Sequence, residues 1–283
     1  MARYRTILIA GLNIAMHAPH PTSRYVDLFR AIFRRQRIVR LGKLHAAMIG
    51  SLHPIDVDNP IKGYTGEIYR FLRLDPAEPW FNVQTNKAAT DQEVGEVKIP
   101  RHLLPHLQRI PFVFRPRVHK LYFVAKDRSD GLGPSAAVKL FERLIQPLVD
   151  QGKFPEIVVT AIPDKDTLER IFKLPILESL VIDLVRPNAD DGDAAEQRWL
   201  RKLEDQKTRR IELKLIAERN GTIEPDGETK AMAMVAAANG KVVATGRDAE
   251  GLKVFESTSE KPWMQSTRID TDHETVINIL ERL

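Results

Sequence analysis

The sequence predicts an α+β fold with mixed sheets, a C-terminal antiparallel meander and flanking helices. Three observations carry this expectation. Ile211, Leu213 and Leu215 alternate with Glu212 and Lys214, the period-two pattern of a strand with one buried face. Tyr25, Leu28, Phe29, Ile32 and Phe33 recur at the helical period. Asn239-Gly240 stands between two apolar runs, a strong short-range signal for a hairpin turn.

The elements follow in order. Residues 4–14 read as a buried first strand. Pro19-His20-Pro21 breaks the chain, and Thr22 or Ser23 can then cap a helix. On that helix Arg30, Arg34 and Arg37 fall opposite the apolar face, giving a cationic front. A strand over 38–52, interrupted near Gly42, carries Arg40, Lys43 and His45. A turn-rich loop over 53–63 precedes a strand over 64–74, ended by Pro76 and Pro79. Trp80-Phe81 is expected to anchor into the core, and 84–93 to form a flexible loop. A short helix over 101–109, bent by Pro105, leads to strands over 112–114 and 118–126, separated by Arg115-Pro116-Arg117.

The clearest break is Ser129 to Pro134. It divides the chain into a basic N-terminal α/β domain, 1–128, and a mildly acidic C-terminal α+β domain, 129–283. The second half reads as helix 135–149, strand 157–162 and a helix opened by Asp164 or Asp166. Strand 180–185, a turn at 190–193, a helix through Lys207 and the alternating strand follow. Residues 231–238 have high helix propensity, but the Asn-Gly signal favours a meander there, continued by a second turn at 248–251. Residues 271–283 form a terminal helix.

Composition bounds the function. The chain has 283 residues, 43% hydrophobic and 29% charged, a globular balance that can bury a sizeable core. With no cysteine, disulfides, thiolate zinc sites and cysteine nucleophiles are excluded. No apolar run approaches the roughly 20 residues of a spanning helix, and the N-terminal apolar run lacks the layout of a secretion signal. The expectation is a cytoplasmic protein with no membrane partner.

Charge is uneven. Residues 1–128 hold 21 Lys+Arg against 10 Asp+Glu, a net +11, whereas the remainder is net −6. Windows 28–55 and 97–126 hold six and seven basic residues and no acid. Such clustering is either an uneven solvated surface or an electrostatic footprint for phosphates. The residues expected to contact nucleic acid are Arg30, Arg34, Arg37, Arg40 and Lys43, helped by Arg115, Arg117 and Lys120.

Chemical motifs are weak. Gly131-Leu132-Gly133 precedes a helix but lacks the third glycine of a dinucleotide fingerprint and the Gly-Lys-Ser/Thr of a P-loop. His17 and His20 have ligand-like spacing but sit among prolines. Glu212-Leu213-Lys214 with Asp183 or Asp193, and Glu96-Val97-Lys98 with Asp91, match a Mg²⁺-nuclease pattern that chance also yields in so charged a chain. Gly-x-Ser-x-Gly and His-Arg-Asp signatures are absent. The acids near 270–274 read as caps of the last helix. No catalytic residue, metal or cofactor is therefore expected.

Leu12-Asn13-Ile14 in the opening strand, strand 180–185 ending in Arg186-Pro187-Asn188, and the closing meander resemble an uncharacterised bacterial domain-of-unknown-function family linked to phage-defence islands. The resemblance spans nearly the whole chain. The layout is also loosely similar to DNA-binding defence proteins such as the B component of Kiwa and the phage lambda Rex A protein. What the resemblance implies is a role in phage defence; it carries over no catalytic residue. The expectation is a non-enzymatic nucleic-acid-binding protein, contacting DNA backbone rather than RNA. Its alternatives are a Mg²⁺-dependent nuclease and an interaction module, such as a homodimer that pairs basic with acidic surfaces.

Overall fold

The computed structural model describes residues 4–17, 20–74, 78–98, 100, 102–186 and 194–283. The α+β class holds: among the described residues there are seven helices and three sheets, and the strand pairings are antiparallel. The break expected at Pro19, the stop at Pro76, the start of the 101–109 helix and the turn at 190–193 lie outside the described residues.

The first sheet is built on β1 (Tyr4–Met16), whose apolar residues are almost all buried. Helix α1 (Ser23–Arg34) follows, then β2 (Val39–Arg40) and β3 (His45–Pro54), a hairpin turned at Gly42, whose φ of 99° suits glycine. After a 3-10 turn at Pro60–Lys62 comes β4 (Tyr64–Leu72). An excursion holds β5 (Phe81–Asn82), β6 (Lys87–Ala88) and α2 (Asp91–Gly95), before β7 (Gln108–Arg115) and β8 (Lys120–Asp127). Three expectations fail in this excursion. Phe81 is 62% exposed and Trp80 only half-buried, and neither joins a core. Segment 84–93 forms part of a hairpin and the first turn of a helix opened by a Thr90–Glu93 capping box, in place of a loop. The 101–109 helix is replaced by turns over 102–107 and by β7, because Pro105 and the left-handed His106 (φ 59°) break helical geometry.

The chain continues with α3 (Pro134–Val149), β9 (Ile157–Ala161), α4 (Lys165–Phe172), β10 (Ile176–Val185), α5 (Ala194–Asp205) and β11 (Arg210–Ile216). It closes with α6 (Gly227–Ala238), β12 (Gly240–Arg247), β13 (Lys253–Ser257), β14 (Met264–Asp270) and α7 (Val276–Leu280). The terminal helix is shorter than expected and starts at the Thr275 cap, whose side chain accepts from the Asn278 amide.

Sheet order is β14-β1-β8-β7-β4-β3-β2, with β9 also on β1. One edge of β1 serves two strands: residues 4–10 pair with β14 and residues 12–16 with β9. The second sheet runs β11-β10-β12-β13. Apolar packing divides the chain differently from its charge. The first core joins β1 to β9 with Ile269, Ile279 and Leu280 from the C-terminal end, whereas the second gathers residues between Ile171 and Ala244. Thus α3, β9 and β14, all beyond residue 128, belong with the first sheet.

The Asn239-Gly240 hairpin turn does not form. Residues 227–238 are one helix, capped where the Asp226 carboxylate accepts from the Thr229 amide at 2.7 Å. Met232, Ala233, Val235 and Ala236 are buried against the second sheet, so alanine propensity and packing reinforce each other. Asn239 ends the helix and Gly240 starts β12, pressed against β10: a Cβ there would sit 2.0 Å from the Asp183 carbonyl oxygen. Gly240→Val is expected to cost about 2 kcal/mol or more by overpacking, read as a lowered thermal midpoint. An unchanged midpoint would mean that β10 and β12 do not meet so closely. The second expected turn does form, joining β12 to β13 with Asp248 accepting from the Glu250 and Leu252 amides.

Candidate nucleic-acid interface

Helix α1 is fixed by its apolar face. Tyr25, Val26, Leu28, Phe29 and Ile32 are buried. The Phe29 ring stacks on Phe114 of β7 with centroids 3.9 Å apart, and the Tyr25 hydroxyl accepts from the Met16 amide at 2.8 Å. With one stripe held against the sheet, helical periodicity turns Arg30 and Arg34 to solvent, and both are exposed. The helix ends earlier than its charge pattern implied. Arg35 is the C-cap and Gln36 adopts a left-handed φ of 47°, so Arg37 lies beyond the helix in the connection to β2. Arg40 is on edge strand β2 and Lys43 in the β2–β3 turn. Arg30, Arg34, Arg37, Arg40 and Lys43 are all exposed, and among the described residues none has an ion-pair partner.

The structure adds cations that local reasoning missed. Arg30 and Arg34 border a shallow hollow of about 460 Å³ together with Arg24, Asp27, Lys153 and Phe154. Arg24 donates to the Lys153 carbonyl at 2.6 Å and lies 4.5 Å over the Phe154 ring, which tethers α1 to the segment after α3. Four cations thus face one acid, Asp27, itself paired with Arg24 at 3.5 Å. Exposed Arg143 of α3 donates to the Arg40 carbonyl at 2.7 Å, adding a cation beside β2. Arg24 was legible, since Arg24, Asp27, Arg30 and Arg34 follow at the helical spacing of three to four; Lys153, 129 residues from Arg24, was not.

The second expected group is not brought to this face. Phe114 and Leu121 are cross-strand partners on the α1 side, so their neighbours Arg115 and Lys120, also partners, project from the opposite side. Arg115 donates to the carbonyl oxygens of Lys62 and Glu281, fastening the C-terminal helix. Lys120 lines a cavity on that side. Arg117 is exposed in the turn between them.

Other motifs resolve into structure. Leu132 between its two glycines is buried in the first core. Asp183 is buried and accepts two bonds from Arg210, at 2.5 and 2.7 Å, so its carboxylate is occupied beside Glu212. Asp193 lies outside the described residues. Glu96 is the C-cap of α2 and Asp91 lies in its first turn, a helix where a strand end was required. No group of three or more metal-ligating side chains occurs among the described residues. His17 lies 3.8 Å from Glu156, and the His20 ring lies 2.9 Å from the Met16 carbonyl.

Burial pushes the His17 pKa below its ordinary 6.5, against the opposing pull of Glu156. The fold therefore prefers neutral His17. The stability this gives is present above pH 6.5 and is lost as pH falls through the lowered value. The urea midpoint is expected to fall on acidification below pH 6.5, and His17→Gln to remove part of that fall. An identical pH profile in the variant would exclude His17 as its source.

No helix among the described residues is long and apolar enough to cross a membrane. No curated protein matches the chain. A family model described as "Domain of unknown function (DUF4747)" matches residues 5–283, and the chain belongs to that family.

Proposed function

We propose that the α1 face binds nucleic-acid backbone, DNA in preference to RNA, without strong sequence selection and without catalysis. One observation carries the reading: a helix docked by its aromatic side presents Arg30 and Arg34 beside Arg24 and Lys153, continued by Arg37, Arg40, Lys43 and Arg143. Of these, Arg30, Arg34, Arg37 and Arg40 are exposed and, among the described residues, have no ion-pair partner, so their guanidinium groups suit phosphate oxygens. The described elements carry no recognised base-reading motif, so affinity rests on charge. The loose layout resemblance to DNA-binding defence proteins supports the same reading, and a setting in phage defence rests on the resemblance to the domain-of-unknown-function family and on that layout.

The test is binding of a labelled duplex by fluorescence anisotropy at low salt, with RNA of equal length and an unrelated DNA sequence as competitors. The reading expects all DNA sequences to compete alike and RNA to compete less well. Cleavage on adding Mg²⁺ would favour the nuclease alternative, which the bidentate Asp183–Arg210 pair does not support.

A further inference from the structure

A cavity of about 500 Å³ opens on the side of the first sheet away from α1, where α4, α5 and α6 approach it. That volume suits a small organic molecule. Its wall is mainly apolar, with Ile162, Leu168, Phe172 and Met234 among the lining residues. Met234, 61% exposed, carries the apolar wall out to the surface. Three carboxylates line the cavity, two of them in ion pairs and the third bonded to a neutral amide. Asp164 pairs with Arg170 at 3.3 Å, Glu169 pairs with Lys173 at 3.0 Å, and Glu196 accepts from the Asn239 amide at 3.0 Å. Lys120 differs: it is half-buried and, among the described residues, its side chain has neither an ion-pair nor a hydrogen-bond partner. An unpartnered ammonium group beside an apolar wall is matched best by an anion that brings its own apolar body.

We propose that this cavity binds a small amphiphilic anion, with its carboxylate or similar group on Lys120 and its hydrocarbon against Ile162, Leu168, Phe172 and Met234. The site is separate from the α1 face, so Lys120 serves the cavity rather than the phosphate-binding surface.

Decanoate is the probe, titrated calorimetrically into the full chain, with decanol and decylamine as neutral and cationic controls. Saturable binding of one decanoate per chain is expected, with both controls weaker by about tenfold or more. Lys120→Met keeps an apolar stem and removes the charge; it is expected to weaken decanoate by a similar factor while leaving decanol unchanged. Met234→Asp places a negative charge at the exposed rim and is expected to weaken decanoate too. It decides the matter if Lys120→Met fails to fold. Absence of saturable decanoate binding, equal binding by a folded Lys120→Met, or preference for decylamine would overturn the proposal. So would displacement of decanoate by duplex DNA, which would return Lys120 to the nucleic-acid surface.

Discussion

Replacing Arg30, Arg34 and Arg37 together by Gln is expected to weaken duplex binding by roughly tenfold per lost phosphate contact at low salt, up to about a thousandfold. The loss should be the same for unrelated sequences, because phosphate contacts position a protein without reading bases. The fold should survive. Arg30, Arg34 and Arg37 are exposed, and such substitutions usually change stability by under about 0.5 kcal/mol. Thermal melting of the variant separates the two effects. A folded triple variant with unchanged affinity would remove α1 from the binding surface. Loss of a dimer in the same variant, seen by sedimentation, would favour the pairing of basic with acidic surfaces instead.

The second large effect is structural. Phe29→Ala is expected to cost about 3–5 kcal/mol, a large share of the roughly 5–15 kcal/mol that holds a domain folded. Phe29 is 1% exposed, stacks on Phe114 and lies within ring contact of Phe112 and Phe141. It therefore joins α1, the first sheet and α3 at one point. Phe29→Leu fills most of the volume and should cost less than half as much. Urea denaturation measures both. A cost below about 1 kcal/mol for the alanine variant would mean that α1 is not docked through this ring, and the outward aim of its arginines would lose its cause.

Helix α1 was legible in the sequence because both faces repeat within a dozen residues, so local periodicity reports its buried and exposed sides together. The end of the helix was not, since the charge pattern ran on to Arg37 while the backbone turned at Gln36. The alternation in β11 was legible for the same local reason. At Asn239-Gly240 two local signals conflicted, and the burial of α6 on the second sheet settled it. The partition of the cations needed three dimensions. That Arg115 points away from Phe114 follows from strand alternation alone, but the packing of α1 on the Phe114 side does not. Likewise Lys153 and Arg143 join the basic face through contacts across 129 and 103 residues, which leave no spacing to read.

The central claim is that exposed cations on and beside α1 neutralise phosphates, and the salt dependence of duplex affinity tests it most directly. Each neutralised phosphate contributes a slope of about −0.9 to a plot of log affinity against log salt. With Arg30, Arg34, Arg37, Arg40 and Lys43 engaged, the wild-type slope is expected to be about −4 to −5. The Arg30, Arg34 and Arg37→Gln variant should be shallower by up to about three units. A wild-type line that is flat, a variant with the same slope, or no measurable binding at low salt would contradict the account.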